Sequence, residues 1–276
     1  MAPRILEAAP ESDRFGETRH PRETHDFFGH GDAERDLLLS YKTARLPHAI
    51  IISGPPGIGK ATLAWRLARF LLAHPGPGAA AGQDSLHVPP GHIVACQVAA
   101  LAHPDLVLLR RGWNPETKRH ATQIQVEDVR RAIDMFRQTA WQGGYRICVI
   151  DCADDLNASS ANALLKLIEE PPRRSLFLII AHRPGRLLPT LRSRCQKLRL
   201  NPLRPEDIGR VLTALGPPWS SAGGPRCEAA AARAQGSVGD CCGLGYRCPG
   251  LSFLERGGHV DCSCSRVGVP GRMMSQ

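Results

Sequence analysis

Seven residues, Gly54-Pro-Pro-Gly-Ile-Gly-Lys60, have the G-x-x-x-x-G-K spacing of a phosphate-cradling loop. The glycines permit positive φ and let backbone N–H groups approach phosphate oxygens, while a following helix N-terminus and the Lys60 ammonium supply positive charge. Gly54, Pro55, Pro56, Gly57, Ile58, Gly59, Lys60, Ala61 and Thr62 are therefore the candidate nucleotide-binding residues. One position departs from the pattern: a Ser or Thr hydroxyl after the lysine would hold Mg²⁺, and this chain has Ala61 there. Thr62 comes one residue late, which on a helix turns a side chain by about 100°. It does not take over, and the magnesium position is put in question.

A second acid is needed beside such a loop. The apolar run Arg146-Ile-Cys-Val-Ile-Asp151 ends in a carboxylate where an Asp would hold Mg²⁺, so Asp151 joins the candidate site. Hydrolysis also needs a base to orient water, usually a Glu at the next position; here that residue is Cys152. Asp154 and Asp155 follow and are expected to face solvent or to cap a helix. These alterations point to ATP held weakly or without hydrolysis, and no metal is assigned.

Short apolar runs bounded by turn residues must carry these groups: 48–53, 105–110, 145–151 and 176–181. They are β-branched or Leu-rich without alternation, as strands covered on both faces are. Helical patterns lie between them: Lys60 to Ala73 with Leu63, Leu67, Phe70 and Leu71 on one stripe, Val126 to Gln138, and about Ser159 to Glu169, stopped by Pro171-Pro172. Strands alternating with helices predict a mostly parallel α/β sheet. The stretch from His74 to Pro90 is rich in Pro, Gly and Ala and reads as a surface insertion.

The composition fits a globular protein of one large domain or two modest ones: 276 residues, 42% hydrophobic and 22% charged. No run of 18 apolar residues occurs and the first thirty are rich in charge, so neither a membrane span nor a signal peptide is expected and a cytoplasmic location is. Six of ten cysteines lie in the last fifty residues, which reads as reduced thiols and not a disulfide framework. The net charge is +9, and Pro171 to Arg204 alone carries nine basic residues and no acidic one, a pattern suited to phosphate.

Four further stretches recur in order: Gly29-His30; Arg45-Leu-Pro-His48, leading into Gly54 to Lys60; Asn162-Ala-Leu-Leu-Lys-Leu-Ile-Glu-Glu-Pro-Pro172; and Leu188-Pro-Thr-Leu-Arg-Ser-Arg-Cys195. With them the chain resembles the delta-prime family of bacterial DNA polymerase III clamp-loader subunits, of the AAA+ class, over about residues 20 to 215. The resemblance implies an AAA+ P-loop fold, a parallel five-stranded sheet flanked by helices and followed by a small helical lid. It implies a subunit that helps load a sliding clamp onto primed DNA during replication, as part of the DNA-directed DNA polymerase (nucleotidyltransferase) holoenzyme. Other clamp-loader subunits, the clamp and primed DNA are the implied partners. The Ser-Arg-Cys motif falls on Ser193, Arg194 and Cys195, which makes Arg194 an arginine finger reaching ATP held by a neighbouring subunit.

The departures also carry expectations. Many relatives have a four-cysteine zinc module after the first helix, whereas this region holds Cys96 alone, so no zinc is expected. His182 stands where the family often has a polar residue and reads as a bystander. The organisation expected is an N-terminal extension (1–20), the AAA+ P-loop domain (21–204), a partial helical lid (205–240) and an irregular tail (241–276) attributed to a shifted reading frame, without the family's helical collar. A metal site built from Cys241, Cys242, Cys248, His259, Cys262 and Cys264 is disfavoured because no C-x-x-C pair occurs. Two other readings compete: a motor subunit similar to gamma/tau, opposed by Ala61 and Cys152, and a stand-alone P-loop adaptor touching DNA through the basic stretch, which leaves Ser-Arg-Cys without a role.

Overall fold

Residues that alternate sides along a strand need two cores when both faces are covered, and here four strands of the main sheet feed both. The computed structural model describes residues 10–14, 19–138, 140 and 143–215. Residues 216–240 of the expected lid, the tail 241–276 and its cysteines lie outside the described residues. The first elements are α1 (Gly31–Lys42), β1 (Ala49–Ser53), α2 (Lys60–Ala73), α3 (Ile93–Ala99) and β2 (Leu106–Leu109). A small hairpin, β3 (Trp113–Asn114) with β4 (Arg119–His120), precedes α4 (Val126–Arg137) and β5 (Arg146–Ile150). Then come α5 (Ala158–Glu169), β6 (Ser175–Ala181), α6 (Pro189–Arg194), β7 (Gln196–Arg199) and α7 (Pro205–Leu215).

The main sheet has five strands, all parallel, in the order β2-β5-β6-β1-β7. This is the parallel five-stranded sheet flanked by helices that the sequence resemblance implies. On one face Ile50, Ile52, Ile147, Val149, Leu176, Leu178 and Ile180 join a core with α1, α2 and α3. On the other, Ala49, Ile51, Cys148, Ile150, Phe177 and Ile179 meet α4, α5 and α6, with Phe136 stacked on Phe177 at 4.8 Å between ring centroids. Such period-two sharing explains why these runs look uniformly apolar. At an edge, β7 is polar and largely exposed, as edge strands tend to be.

The stretch from His74 to Pro90 lies largely at the surface, as expected, but it is anchored there: Ala80 and Leu86 are fully buried and Val88 nearly so, all in the first core. The result is a helix α2 buried on nearly every side, Arg66 and Arg69 included. A buried guanidinium must find acceptors. Arg69 donates to the Thr24 carbonyl at 2.5 Å and the Arg22 carbonyl at 3.2 Å, while Arg66 reaches the His25 carbonyl at 2.6 Å and the Glu34 carboxylate at 2.8 Å. These bonds strap residues 22–25 onto α2. Burial first, and then the Arg66 charge, pull the Arg69 pKa down to about 10, still far above neutrality.

Replacing Arg69 with Leu keeps apolar bulk but orphans the two carbonyls, at a cost of about 2–3 kcal/mol. Urea denaturation should register that loss, with faster proteolysis ahead of Gly29; wild-type values in both assays would mean that the strap is held by other contacts.

Candidate functional site

The phosphate-loop residues follow β1 and open α2, so strand, loop and helix meet where the motif needs them. Gly54, Gly57 and Gly59 have φ of 149°, 76° and 95°. At Gly54 the reason is steric as well: a Cβ there would lie 2.7 Å from the Leu200 carbonyl oxygen, a backbone atom with no freedom to swing away. Lys60 is buried and its ammonium donates to the carbonyls of Gly54 at 2.8 Å and Pro55 at 2.5 Å, so it closes the loop on itself. Burial lowers its pKa to about 8, against the upward pull of Cys152, Asp151 and Asp154. Ala61 and Thr62, in the first turn of α2, are both half-buried.

The Gly29-His30 pair belongs to this site physically. His30 is buried and donates from Nε2 to the Ile58 carbonyl at 2.8 Å, and burial lowers its pKa. Gly29 has φ of 79°, and a Cβ there would fall 2.3 Å from Leu203 Cδ2, just ahead of α7. The loop, residues 27–30 and the start of α7 thus share one neighbourhood.

Asp151 follows directly on β5 and is only 7% exposed. Burial pushes its pKa up to about 7, Asp13 adds to the rise, and Lys60 and Arg110 oppose it. The next residue, Cys152, is a neutral thiol whose pKa burial and a 2.8 Å hydrogen bond to Asp154 raise. A protonated thiol tied to a carboxylate is no base for water. The expectation for Asp154 is corrected here: its oxygens accept the backbone N–H groups of His182 at 2.7 Å and Arg183 at 2.8 Å. Burial opposes its ionisation, yet the bonds from Cys152 and the two amides hold it below the usual carboxylate range. It therefore ties the end of β5 to the end of β6. Asp155 pairs with Arg111 at 3.0 Å. His182 lies near enough to Lys60 that burial and that charge both lower its pKa.

Arg194 is not gathered into this group. It ends α6, two residues before β7, and β7 begins opposite Ile50 while Arg199 pairs with Ser53. Arg194 therefore stands at the N-terminal edge of the sheet, whereas Gly54 to Lys60 lie beyond the C-terminal edge, at least about 10 Å away along the strands. Its Nη2 pairs with Glu169 Oε1 at 2.8 Å and its Nη1 donates to the Thr190 carbonyl at 3.1 Å. The basic stretch is divided too: Arg173 and Arg174 precede β6 and Arg183 and Arg186 follow it, about 20 Å apart along the strand.

Sequence reasoning missed a charged cluster contributed by residues 11–22. Arg22 meets Glu11 at 2.6 Å, Arg110 meets Asp13 at 2.6 Å and Glu11 at 3.1 Å, and His20 meets Asp13 at 3.0 Å. Paired charges of this kind leave no spacing signal. Among the described residues no group of three or more His, Cys, Asp or Glu side chains is arranged to hold a metal ion.

A family model described as DNA polymerase III, delta subunit, matches residues 29–204. The chain is 40% identical over 153 residues to DNA polymerase III subunit delta' of Pseudomonas aeruginosa, covering 55% of this chain and 42% of that protein. It is 36% identical over 167 residues to the Escherichia coli subunit of the same name, covering 60% and 46%. DNA polymerase III subunit gamma/tau of Mycobacterium tuberculosis is 31% identical over 182 residues, covering 65% and 28%. The chain thus spans less than half the length of these curated relatives. Among solved structures, the Thermotoga maritima RuvB Holliday junction branch migration motor matches 80% of this chain and 63% of its own, at 19% identity and a TM-score of 0.45.

The buried Asp151 makes stability depend on pH. Well below its ordinary pKa of 3.8 it is protonated in folded and unfolded chains alike; between there and about 7 only the folded chain keeps the proton, so stability falls as pH rises, and above about 7 the full cost is present. Asp151→Asn should therefore melt a few degrees higher than wild type near pH 8, with the gain shrinking towards pH 4. A difference that does not vary with pH would contradict a buried charge at this position.

Proposed function

We propose that this chain, which belongs to the DNA polymerase III delta subunit family, acts as a delta-prime-like subunit of the clamp loader, helping to load the sliding clamp onto primed DNA. It binds nucleotide through Gly54 to Thr62 without turning it over, and it offers Arg194 to ATP on an adjacent subunit.

The observation that carries this reading is the separation of Arg194 from Lys60 at opposite edges of a parallel sheet. An arginine there cannot reach its own loop, but it is half-exposed and suited to a neighbour. In that neighbour's site water attacks the γ-phosphorus as the bridging P–O bond breaks, giving ADP, inorganic phosphate and a proton. A planar, permanently charged guanidinium stabilises the charge on the transferring group. The glycine cradle, Lys60 and the N-terminus of α2 fit the phosphates of a nucleotide on this chain. The magnesium and base positions fit poorly, since Ala61 has no hydroxyl and Cys152 is a neutral thiol. That weighs against the motor-subunit reading. The stand-alone DNA adaptor is weakened by the division of the basic stretch between two sheet edges.

Purified chain should hydrolyse ATP no faster than Lys60→Ala chain. In a loader reconstituted with its cognate subunits, Arg194→Ala should lower DNA-stimulated ATP turnover by about 10-fold or more. Turnover by the chain alone that Lys60→Ala abolishes would replace this reading with the motor subunit, and an Arg194→Ala loader of normal rate would remove the finger.

A further inference from the structure

We propose that Glu169 is the positioning residue for Arg194, fixing its guanidinium plane for the neighbouring subunit's ATP; the inference rests on the trans-acting reading above. The two family-like stretches, 162–172 and 188–195, meet through this pair: α5 ends at Glu169, α6 ends at Arg194, and Nη2 lies 2.8 Å from Oε1.

Two physical arguments separate this pair from an ordinary surface ion pair. The first is local electrostatics. Carboxylates are disfavoured at a helix C-terminus, where unsatisfied carbonyls carry partial negative charge. Yet Glu169 is the last residue of α5 and Glu170 its C-cap. A cation facing Glu169 offsets that misfit, and Arg194 is the cation. The second is geometric. The other contacts of Arg194, to the Thr190 carbonyl at 3.1 Å and Ser193 Oγ at 3.4 Å, come from its own helix. Among the described residues, Glu169 is the partner that ties the guanidinium to a different element and so orients it against the sheet.

The energetics favour orientation over stability as the result. Glu169 and Arg194 side chains are 38% and 42% exposed, a setting where ion pairs add little to folding. A long side chain restricted to one rotamer loses less freedom when it meets phosphate. Guanidinium has five N–H donors and these contacts use at most three, leaving at least two for phosphate oxygens.

The test uses full-length chain in two settings. In the reconstituted loader, Glu169→Ala should lower kcat for ATP about 10-fold with KM for ATP little changed. Glu169→Gln, which retains the Oε1 acceptor, should recover most of that rate. Glu169→Ala combined with Arg194→Ala should be no slower than Arg194→Ala alone, because the two act as one unit. Normal turnover with Glu169→Ala beside a slow Arg194→Ala loader, or a further loss in the double variant, overturns the proposal while leaving the finger intact. In the free chain, phenylglyoxal modification of Arg194, followed by mass spectrometry, should be several-fold faster in Glu169→Ala than in wild type. An unchanged rate there overturns the pairing itself, whereas an Arg194→Ala loader of normal rate defeats only the trans-acting premise.

Discussion

Parallel pairing of β1 with β6 and β7 is the constraint on which the rest of the molecule depends. Parallel strands begin at one edge of a sheet and end at the other, so whatever follows β1 and whatever precedes β7 must lie on opposite sides. The loop from Gly54 to Lys60 follows β1; Arg194 precedes β7. No side-chain rearrangement brings them together, because the register from Ile50 opposite Gln196 to Ser53 opposite Arg199 is held by backbone hydrogen bonds. An arginine with a role in phosphate chemistry at that edge has to find its phosphate on another molecule. The trans-acting role proposed for Arg194 therefore rests on topology more than on any local motif.

At the C-terminal edge the same sheet concentrates charge that the protein then has to satisfy. Asp151, Lys60 and Asp154 converge where β5 and β1 end, and Asp13 and Arg110 approach from the N-terminal segment and β2. Each pairing limits what the group can do. Asp154 is an ionised carboxylate, but its oxygens are committed to two backbone amides and the Cys152 thiol. Lys60 is committed to the loop carbonyls. Asp151 is poised near neutrality because burial and Asp13 outweigh Lys60 and Arg110. Of Asp151, Asp154 and Asp155, the acid with a clearly depressed pKa is Asp154, and it serves as a brace between strands.

What the sequence disclosed, and what it hid, follows from the range of the interactions. The central strands and the helix from Lys60 to Ala73 were legible because burial on both sides leaves a dense apolar signature within a few residues. The edge strand β7 was not: Gln196-Lys-Leu-Arg199 has one neighbour and a solvated face, so its composition resembles a loop. The burial of Leu86 and Val88 was hidden by the Pro and Gly around them, although those residues serve to turn the chain back over α2. At the site, Gly54 to Lys60, Asp151 and Arg194 could be named from spacing or resemblance. Glu169 and His30 stand in the family-like stretches too, but their contacts with Arg194 and Ile58, like that of Asp13 with Asp151, join residues at least 25 positions apart, which no periodicity encodes.

The glycine loop also has structural reasons for its sequence, independent of any nucleotide. Gly54 is required where the Leu200 carbonyl passes close, and Gly59 adopts a left-handed conformation at the entry to α2, with Phe27 opposite. The Ile58 carbonyl is capped by His30, and Lys60 ties the first two carbonyls of the loop. These contacts weld β1, α2 and residues 27–30 into one unit, against which Leu203 and Asp207, at the start of α7, are packed. A match to the phosphate-loop pattern is therefore what this junction needs to fold as well as what a nucleotide needs to bind. Ala61 and Cys152 stand apart from these reasons: they are the positions at which hydrolysis calls for a hydroxyl and a base.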